Sequence, residues 1–551
     1  MDSRTFSTKL VILCSLFCLI SCSDDEKPIQ NHPATTTSYQ ASHGGQFTDA
    51  SIGDASNLIP MIAGDASSHA IAGQLYLALL EYDRNFKLVP KLAESWQVSK
   101  DKLSITFTIK PNLQWSDGTP FSAQDCLFTL QLMQDEHTQS PYKSDYNLVT
   151  SAEAPDAHTF IVHYKETFSP ALASWAQLSI LPQHIFKDED IMDTKLSRQP
   201  KASIGPYFLE DWQNQQSIVL TANPDYFDGE VWINKRITRI IPDSATQFLE
   251  LTAAHIDAMN LTPIQYKRLF DNNAQLKQNY TRYQYLGSGY SYLGFNLKRP
   301  PFDDILVRQA IDYAIDRQEL VDGVLLGLGE AIATPYKPGT PWVNQNIKPR
   351  PFDPQKAKAL LAQAGWVQQP GESFVSKNGK KFVFTIVTNN GNKQRADTAT
   401  IIQQRLQTIG IKVHIRLIEW SAFIASFINT RNFDAVILGW SLNPEPDQYS
   451  IWHSSQTGER QFNFLSYSNA KVDEALEKAR RIFDVPQRQA WYNIMQQEIH
   501  HDTPLIFLYA AYALPAVNRR IQGIKPAPAG IYHNQEKWFI PQALQRNAMQ
   551  P

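Results

Sequence analysis

The chain has 551 residues, 43% hydrophobic and 19% charged, with a formal net charge of −3. That length exceeds what one hydrophobic core supports, so at least two lobes are expected. The near-neutral charge, with no basic stripe interleaved with aromatics, argues against nucleic acid or anionic lipid as a partner.

Residues 1–21 read as a secretory signal peptide. Arg4 and Lys9 precede an apolar stretch over residues 10–20. A membrane-spanning helix takes about 20 such residues, so this one is too short to be a stable anchor. The segment closes on LISC, residues 19–22, which is similar to a lipobox, and this makes Cys22 the acylated first residue of the mature chain. The other reading is a plain signal peptide that happens to contain Cys22; the polar, acidic run over residues 23–26 favours lipidation. Residues 22–43 then form the lipidated cysteine and a flexible tether, too poor in apolar side chains to fold. With Cys14 and Cys18 removed and Cys22 acylated, Cys126 has no disulfide partner and is expected to be a buried, inert thiol.

The folded body opens with strand-like alternation in SITFTIK, residues 104–110. Ser122 is a predicted N-cap, with Asp125 three residues on, for a helix over CLFTLQLM. HTFIVHY and SIVLTANPDYF contain two further predicted strands. Apolar residues from Val307 to Leu325 recur at helical spacing and predict one helix over residues 307–326. A second is predicted with Asp353 as N-cap, Pro354 at its first position and Gly365 past its end. From about residue 380 the pattern is strand (KFVFTIVT), helix (ADTATIIQQRLQTIG), strand (IKVHIRLIEW), short helix (AFIASFIN), strand (FDAVILGW). Such alternation predicts an α/β lobe, and ligands gather outside the carboxyl ends of its strands.

Catalytic signatures are missing. There is no G-x-S-x-G elbow, P-loop, H-E-x-x-H or C-x-x-C. LGLGEA, residues 326–331, lacks the third glycine of a dinucleotide fingerprint and reads as a helix stop. His500 and His501 are adjacent, so they point to different helix faces; a metal site assembled from distant histidines stays open. In LGWSLNPEPDQYSIWHSS, residues 438–455, Glu445 and Asp447 could act as acid and base. Pro444 and Pro446 make that segment a rigid polar loop, where carboxylates are normally solvated or capping a helix. No catalysis and no cofactor are expected.

Five collinear stretches carry a family resemblance. They are LVPKLAESWQVSKDKLSITFTIKPNLQWSDGTPFSAQDC, IGPYFLEDWQNQQSIVLTANPDYFDG, LGFNLKRPPFDDILVRQAIDYAIDRQELVDGVLLG, FDAVILGWSLNPEPDQYSIWHSS and FLSYSNAKVDEALEKA. Together they resemble the family 5 extracellular solute-binding proteins, the oligopeptide and dipeptide receptors of ABC importers. The resemblance implies a type II periplasmic-binding-protein fold of two α/β lobes. Residues 44–82, 203–287 and 504–551 would form lobe I, 83–202 its inserted subdomain and 288–503 lobe II. Hinge crossings are expected near residues 288–292 and 503–512. It also implies a lipid-anchored monomer outside the cell membrane that passes oligopeptides to permease subunits. Nickel chelates, haem and oligosaccharides are ligands of other relatives, and a secreted hydrolase with dispersed carboxylates is the alternative from another class.

The resemblance places Gly439, Trp440 and Ser441 in the cleft, pairing with ligand backbone. A core position at the strand end is the other reading of Trp440, and core packing competes equally with ligand contact for Tyr449 and Trp452. Tyr142 of SPY is expected to face the ligand, Ala66 and Ser67 of DASS to offer main-chain hydrogen bonds, and Asn260 to be a further contact. Several relatives carry an Asp three residues after this Trp, paired with the ligand's α-ammonium. Here that position is Asn443, so either Glu445 or Asp447 supplies the charge or no ion pair fixes the amino terminus.

Overall fold

The structure is a computed structural model describing residues 39–546. Cys22, the signal segment and most of the tether lie outside the described residues.

Two large sheets organise the molecule. The first runs, in spatial order, Tyr280–Arg282, Pro515–Asn518, Ala258–Asn260, Gln46–Ser51, Lys235–Ile240, Ser217–Ala222 and Tyr207–Gln213. The second runs Tyr285–Leu286, Leu505–Ala513, Gly289–Phe295, Ala435–Ser441, Val383–Asn389 and Lys412–Ile418, with Gly329–Ala331 also paired to Leu505–Ala513. A four-stranded antiparallel sheet, containing Ser104–Ile109 and Thr159–Tyr164, packs in the first lobe. One apolar cluster extends from Ala55 through Val231, so the segment carrying this sheet shares a core with its neighbours. Cys126 is fully buried in that cluster as a free thiol.

The predicted β-α-β-α-β order after residue 380 is present. Val383–Asn389 pairs parallel with Lys412–Ile418 and, over two residues, with Ala435–Ser441. Helix ends follow their local chemistry. Ser122 and Asp125 form a reciprocal capping box at Ala123–Gln134. Asp353 caps Pro354–Gln363, and Gly365 follows it at φ +85°. The single helix expected over residues 307–326 is instead two, Ile305–Tyr313 and Arg317–Gly323. Asp316 accepts from the backbone N–H groups of Gln318 and Glu319, ending one helix and capping the next.

The crossings between sheets are short. The chain leaves Tyr280–Arg282 of the first sheet and enters Tyr285–Leu286 of the second two residues later. It returns through Leu514, between Leu505–Ala513 and Pro515–Asn518. The expected crossing positions, 288–292 and 503–512, lie on strands of the second sheet, because Gly289–Phe295 and Leu505–Ala513 pair with each other. In the first lobe, Arg520 ties the carboxyl-terminal segment to the sheet. Its guanidinium donates to both Asp257 oxygens at 2.7 and 2.6 Å and to the Gln46 carbonyl at 2.8 Å.

Candidate functional site

A cavity of about 1390 Å3 lies between the lobes. Drug-sized ligands occupy pockets of about 300–1000 Å3, so this space suits something larger. A smaller cavity of about 420 Å3 lies in the first lobe. Its Lys91 is already held by Glu81 at 3.2 Å and Asp228 at 2.8 Å, and the sequence-derived candidates fall elsewhere.

The strand Ala435–Ser441 forms one wall of the larger cavity. It is buried through Leu438 and emerges at Gly439. Along one side it pairs with Gly289–Phe295 for its full length. On the other it meets Val383–Asn389 only at Ala435 and Val436, and the Thr388 hydroxyl then satisfies the Ile437 carbonyl at 2.8 Å. Residues 438–441 therefore present an unpaired strand edge to the cavity.

Trp440 is half-buried against Phe462, with ring centres 5.2 Å apart and planes nearly perpendicular. Phe462 meets Tyr142 of the first lobe in the same way at 5.3 Å. The three rings make an edge-to-face chain across the cavity, the arrangement favoured by the aromatic quadrupole. Tyr142 donates to the Ala63 carbonyl at 3.2 Å and lies 2.8 Å from His69 Nε2, which fixes its ring.

Asp65 caps the helix Ala66–Leu75, accepting from Ser68 N at 3.0 Å and from the Ser56 and Ser68 hydroxyls at 2.6 and 2.7 Å. The cap leaves Ala66 exposed to the cavity. Trp420, from the second lobe, reaches Asp65 with its indole N–H at 3.4 Å and lies over Gly53. A Cβ at Gly53 would fall 2.6 Å from the indole, so only glycine permits this approach.

Other contacts close the opposite flank. Arg480 is buried between Asp447 at 2.6 Å and Asp145 of the first lobe at 2.5 Å, and it stacks 3.9 Å above Tyr449. Burial works against its charge, but the two carboxylates more than offset that and hold the guanidinium above its ordinary pKa. Ser169 N–H donates to the Arg480 carbonyl at 2.6 Å, and Arg481 pairs with Glu166 at 2.9 Å. Asn443 Nδ2 donates to Gln177 Oε1 at 3.0 Å. The lobes thus touch on both sides of the cavity.

Among the sequence candidates, Gly439, Trp440, Ser441, Asn443, Tyr142, Ala66 and Asn260 line this one space. Three do not. Ser67 lies behind Ala66, one position off the exposed helix end. Trp452 is only 1% exposed and donates its indole N–H to Gln448 Oε1 at 2.7 Å. Tyr449 is sandwiched between Arg480 and His453, whose ring centre is 4.0 Å away. Both aromatics support the wall from behind. Glu445 is engaged by Arg488, as Asp447 is by Arg480.

Arg395 is the main residue that sequence reasoning missed. It faces the cavity beside Gly439, where an added Cβ would lie 3.2 Å from its guanidinium and 2.8 Å from the Tyr290 carbonyl. Its side chain donates to Asn389 Oδ1 at 2.8 Å, and among the described residues no carboxylate pairs with it. Desolvation is the largest influence on it and lowers its pKa. One signal for it exists in the sequence. Asn392 caps the helix Lys393–Thr408, so Arg395 stands in the first turn, where the helix dipole disfavours a cation.

Two lobes around a cavity with an open strand edge and aromatic walls define a ligand-binding protein of the two-lobed periplasmic type. The model of the bacterial extracellular solute-binding proteins, family 5, matches residues 87–461, and the chain belongs to that family. It is 32% identical to the oligopeptide-binding protein AppA of Bacillus subtilis over 98% of this chain and 99% of that one. The structure of AppA in complex with a nonapeptide matches with a TM-score of 0.87 at 31% identity, covering 91% of this chain and 100% of that one. DppA of Helicobacter pylori, an ABC transporter-associated periplasmic binding protein in complex with the peptide STSA, matches at 0.81 and 26% identity, covering 91% and 99%. Haem-binding protein A of Haemophilus influenzae is 27% identical over 93% of this chain and 95% of that one. Among the described residues no helix is long and apolar enough to cross a membrane.

Proposed function

We propose that the protein captures oligopeptides between its lobes and delivers them to the permease of an ABC importer, without altering them. The observation that carries this reading is the unpaired edge over residues 438–441, facing a cavity large enough for an extended chain. A peptide entering there adds as a strand. Its N–H and C=O groups are common to every sequence, which gives broad tolerance, while the Trp440, Phe462 and Tyr142 rings pack its side chains. The peptides bound in the AppA and DppA structures support the same ligand class. In this reading Arg395 holds the peptide's terminal carboxylate, the anion that a desolvated, unpaired guanidinium suits best. The segments around 283–284 and Leu514 serve as the hinge between lobes. A carboxylate is lacking at Asn443, and Glu445 and Asp447 are committed to arginines, so the α-ammonium is left without an ion-pair partner.

A good peptide at about 100 times its Kd is expected to stabilise the fold by about 2.7 kcal/mol and to be recovered intact. Acetylating its amino terminus is expected to cost less than about tenfold in affinity, or 1.4 kcal/mol, and Asn443→Asp to restore a preference for the free amine. Calorimetry with both peptides checks this. Thermal shifts seen only with a nickel chelate or an oligosaccharide would remove the peptide assignment.

The anchor belongs to the same reading. Cys22, following LIS and preceding a polar tether, carries the lipid that holds the receptor at the membrane surface. Cys22→Ser is expected to release the folded body from membranes, measured by fractionation and by the mass of the mature amino terminus. Unchanged membrane association and an unchanged terminal mass would contradict lipidation.

A further inference from the structure

The cavity's charged groups are not equally committed. Each of its carboxylates already has protein partners: Asp65 the serine hydroxyls and the helix terminus, Asp145 and Asp447 the Arg480 guanidinium, Glu445 that of Arg488. The cations differ. Besides Arg395 and the exposed Arg460, Lys337 lines the cavity with no carboxylate in ion-pair range among the described residues.

Lys337 is also firmly placed. The Tyr336 hydroxyl donates to the Pro446 carbonyl at 2.9 Å, Gln448 Nε2 to the Pro335 carbonyl at 2.8 Å, and the Thr340 hydroxyl to Lys337's own carbonyl at 2.8 Å. These bonds pin the segment to the loop that follows Trp440. From that base the half-buried ammonium reaches 5.7 Å from the centre of the Phe86 ring, which comes from the first lobe. Phe86 holds the left-handed conformation, φ +62°, in the turn that starts at Asp83. A single cation–aromatic contact replaces little of the hydration that closure removes. Burial pulls the Lys337 pKa down, and the carboxylates of the adjoining loop, Glu445 and Asp447, are already engaged by Arg488 and Arg480.

We propose that Lys337, set where the lobes meet, is a side-chain subsite for a carboxylate, so that the receptor selects peptides carrying an acidic residue at one register. This rests on the peptide reading and narrows its substrate class. A carboxylate placed there gains a charge-assisted hydrogen bond in a water-poor site, and its presence completes a contact that spans the closed cleft. A neutral isostere such as glutamine accepts from the same ammonium without the charge.

The test uses nonapeptides of alanine, serine and glycine in which one glutamate, or one glutamine in its place, is moved through the sequence. Each is made with a free and with an amidated carboxyl terminus, and affinities are measured by calorimetry on wild type and Lys337→Met, which keeps the apolar stem. At one register glutamate is expected to bind about tenfold tighter than glutamine, about 1.4 kcal/mol, with either terminus. In Lys337→Met that difference is expected to fall below about twofold, with the glutamate peptide losing more affinity than the glutamine peptide, which loses only a hydrogen bond to a neutral acceptor. A glutamate preference that survives in Lys337→Met, or peptides that bind with no register favouring glutamate, would overturn the subsite. Loss of the amidation effect in Lys337→Met, with the glutamate preference intact, would instead assign Lys337 to the terminus and overturn it too. If none of these peptides binds wild type, the peptide reading itself fails and takes the subsite with it.

Discussion

Replacing Arg480 by methionine is expected to lower stability by about 3–5 kcal/mol, the usual consequence of leaving buried carboxylates without their cation. Asp447 and Asp145 converge on this one guanidinium, which also stacks on Tyr449. Methionine restores some packing volume but no charge, so two carboxyl groups must protonate or draw in water. Denaturant unfolding followed by tryptophan fluorescence measures the loss. Adding Asp145→Asn and Asp447→Asn to Arg480→Met is expected to recover much of it, since the group then becomes neutral. Asp145→Asn alone separates two roles. It removes the Arg480–Asp145 ion pair between the lobes and leaves Arg480–Asp447 in place, so it is expected to weaken ligand binding more than fold stability. A loss below about 1 kcal/mol for Arg480→Met would mean that the three groups behave as an exposed pair does.

Arg395→Met is expected to weaken a peptide with a free carboxyl terminus by at least about 30-fold, the lower end of the 2–5 kcal/mol range for removing one partner of a buried charge pair. The fold is not expected to suffer. Arg395 makes one side-chain hydrogen bond, to Asn389, and its charge is desolvated, so the unliganded variant should melt at or above the wild-type temperature. Affinity loss with unimpaired stability separates ligand recognition from a structural role. The amidated peptide supplies the control, because wild type and variant should bind it alike. Equal loss for free and amidated peptides would show that Arg395 holds the cavity's shape and not the ligand's terminus.

Local chemistry was the readable part of this chain. The Ser122–Asp125 box and the Asp353, Pro354 and Gly365 signals predicted helix ends that the structure has, because capping involves atoms only a few residues apart. The same logic misjudged residues 307–326. Apolar periodicity runs on through Asp316, but the carboxylate of Asp316 competes for backbone donors and divides the helix. Of the aromatics at and after the strand end, Trp440 lines the cavity. Tyr449 and Trp452, nine and twelve residues further on, turn to the back of the wall. Nothing local distinguishes them, because a tryptophan suits a core and a cleft equally well.

By itself the sequence determined the β-α-β-α-β order after residue 380, the caps at Ser122 and Asp353, and the family, since each rests on periodicity, on neighbouring residues or on long collinear motifs. Only the tertiary structure decided which groups meet across the cleft. Arg480 finds Asp145 from 335 positions away, and Trp420 finds Asp65 from 355. Arg395 reads as one more surface cation in NKQRAD until the fold sets it against the Gly439 backbone, with no carboxylate in ion-pair range among the described residues. Whether a charge is paired depends on three-dimensional neighbours and on the water that closure excludes, and neither is encoded in the spacing of residues along the chain.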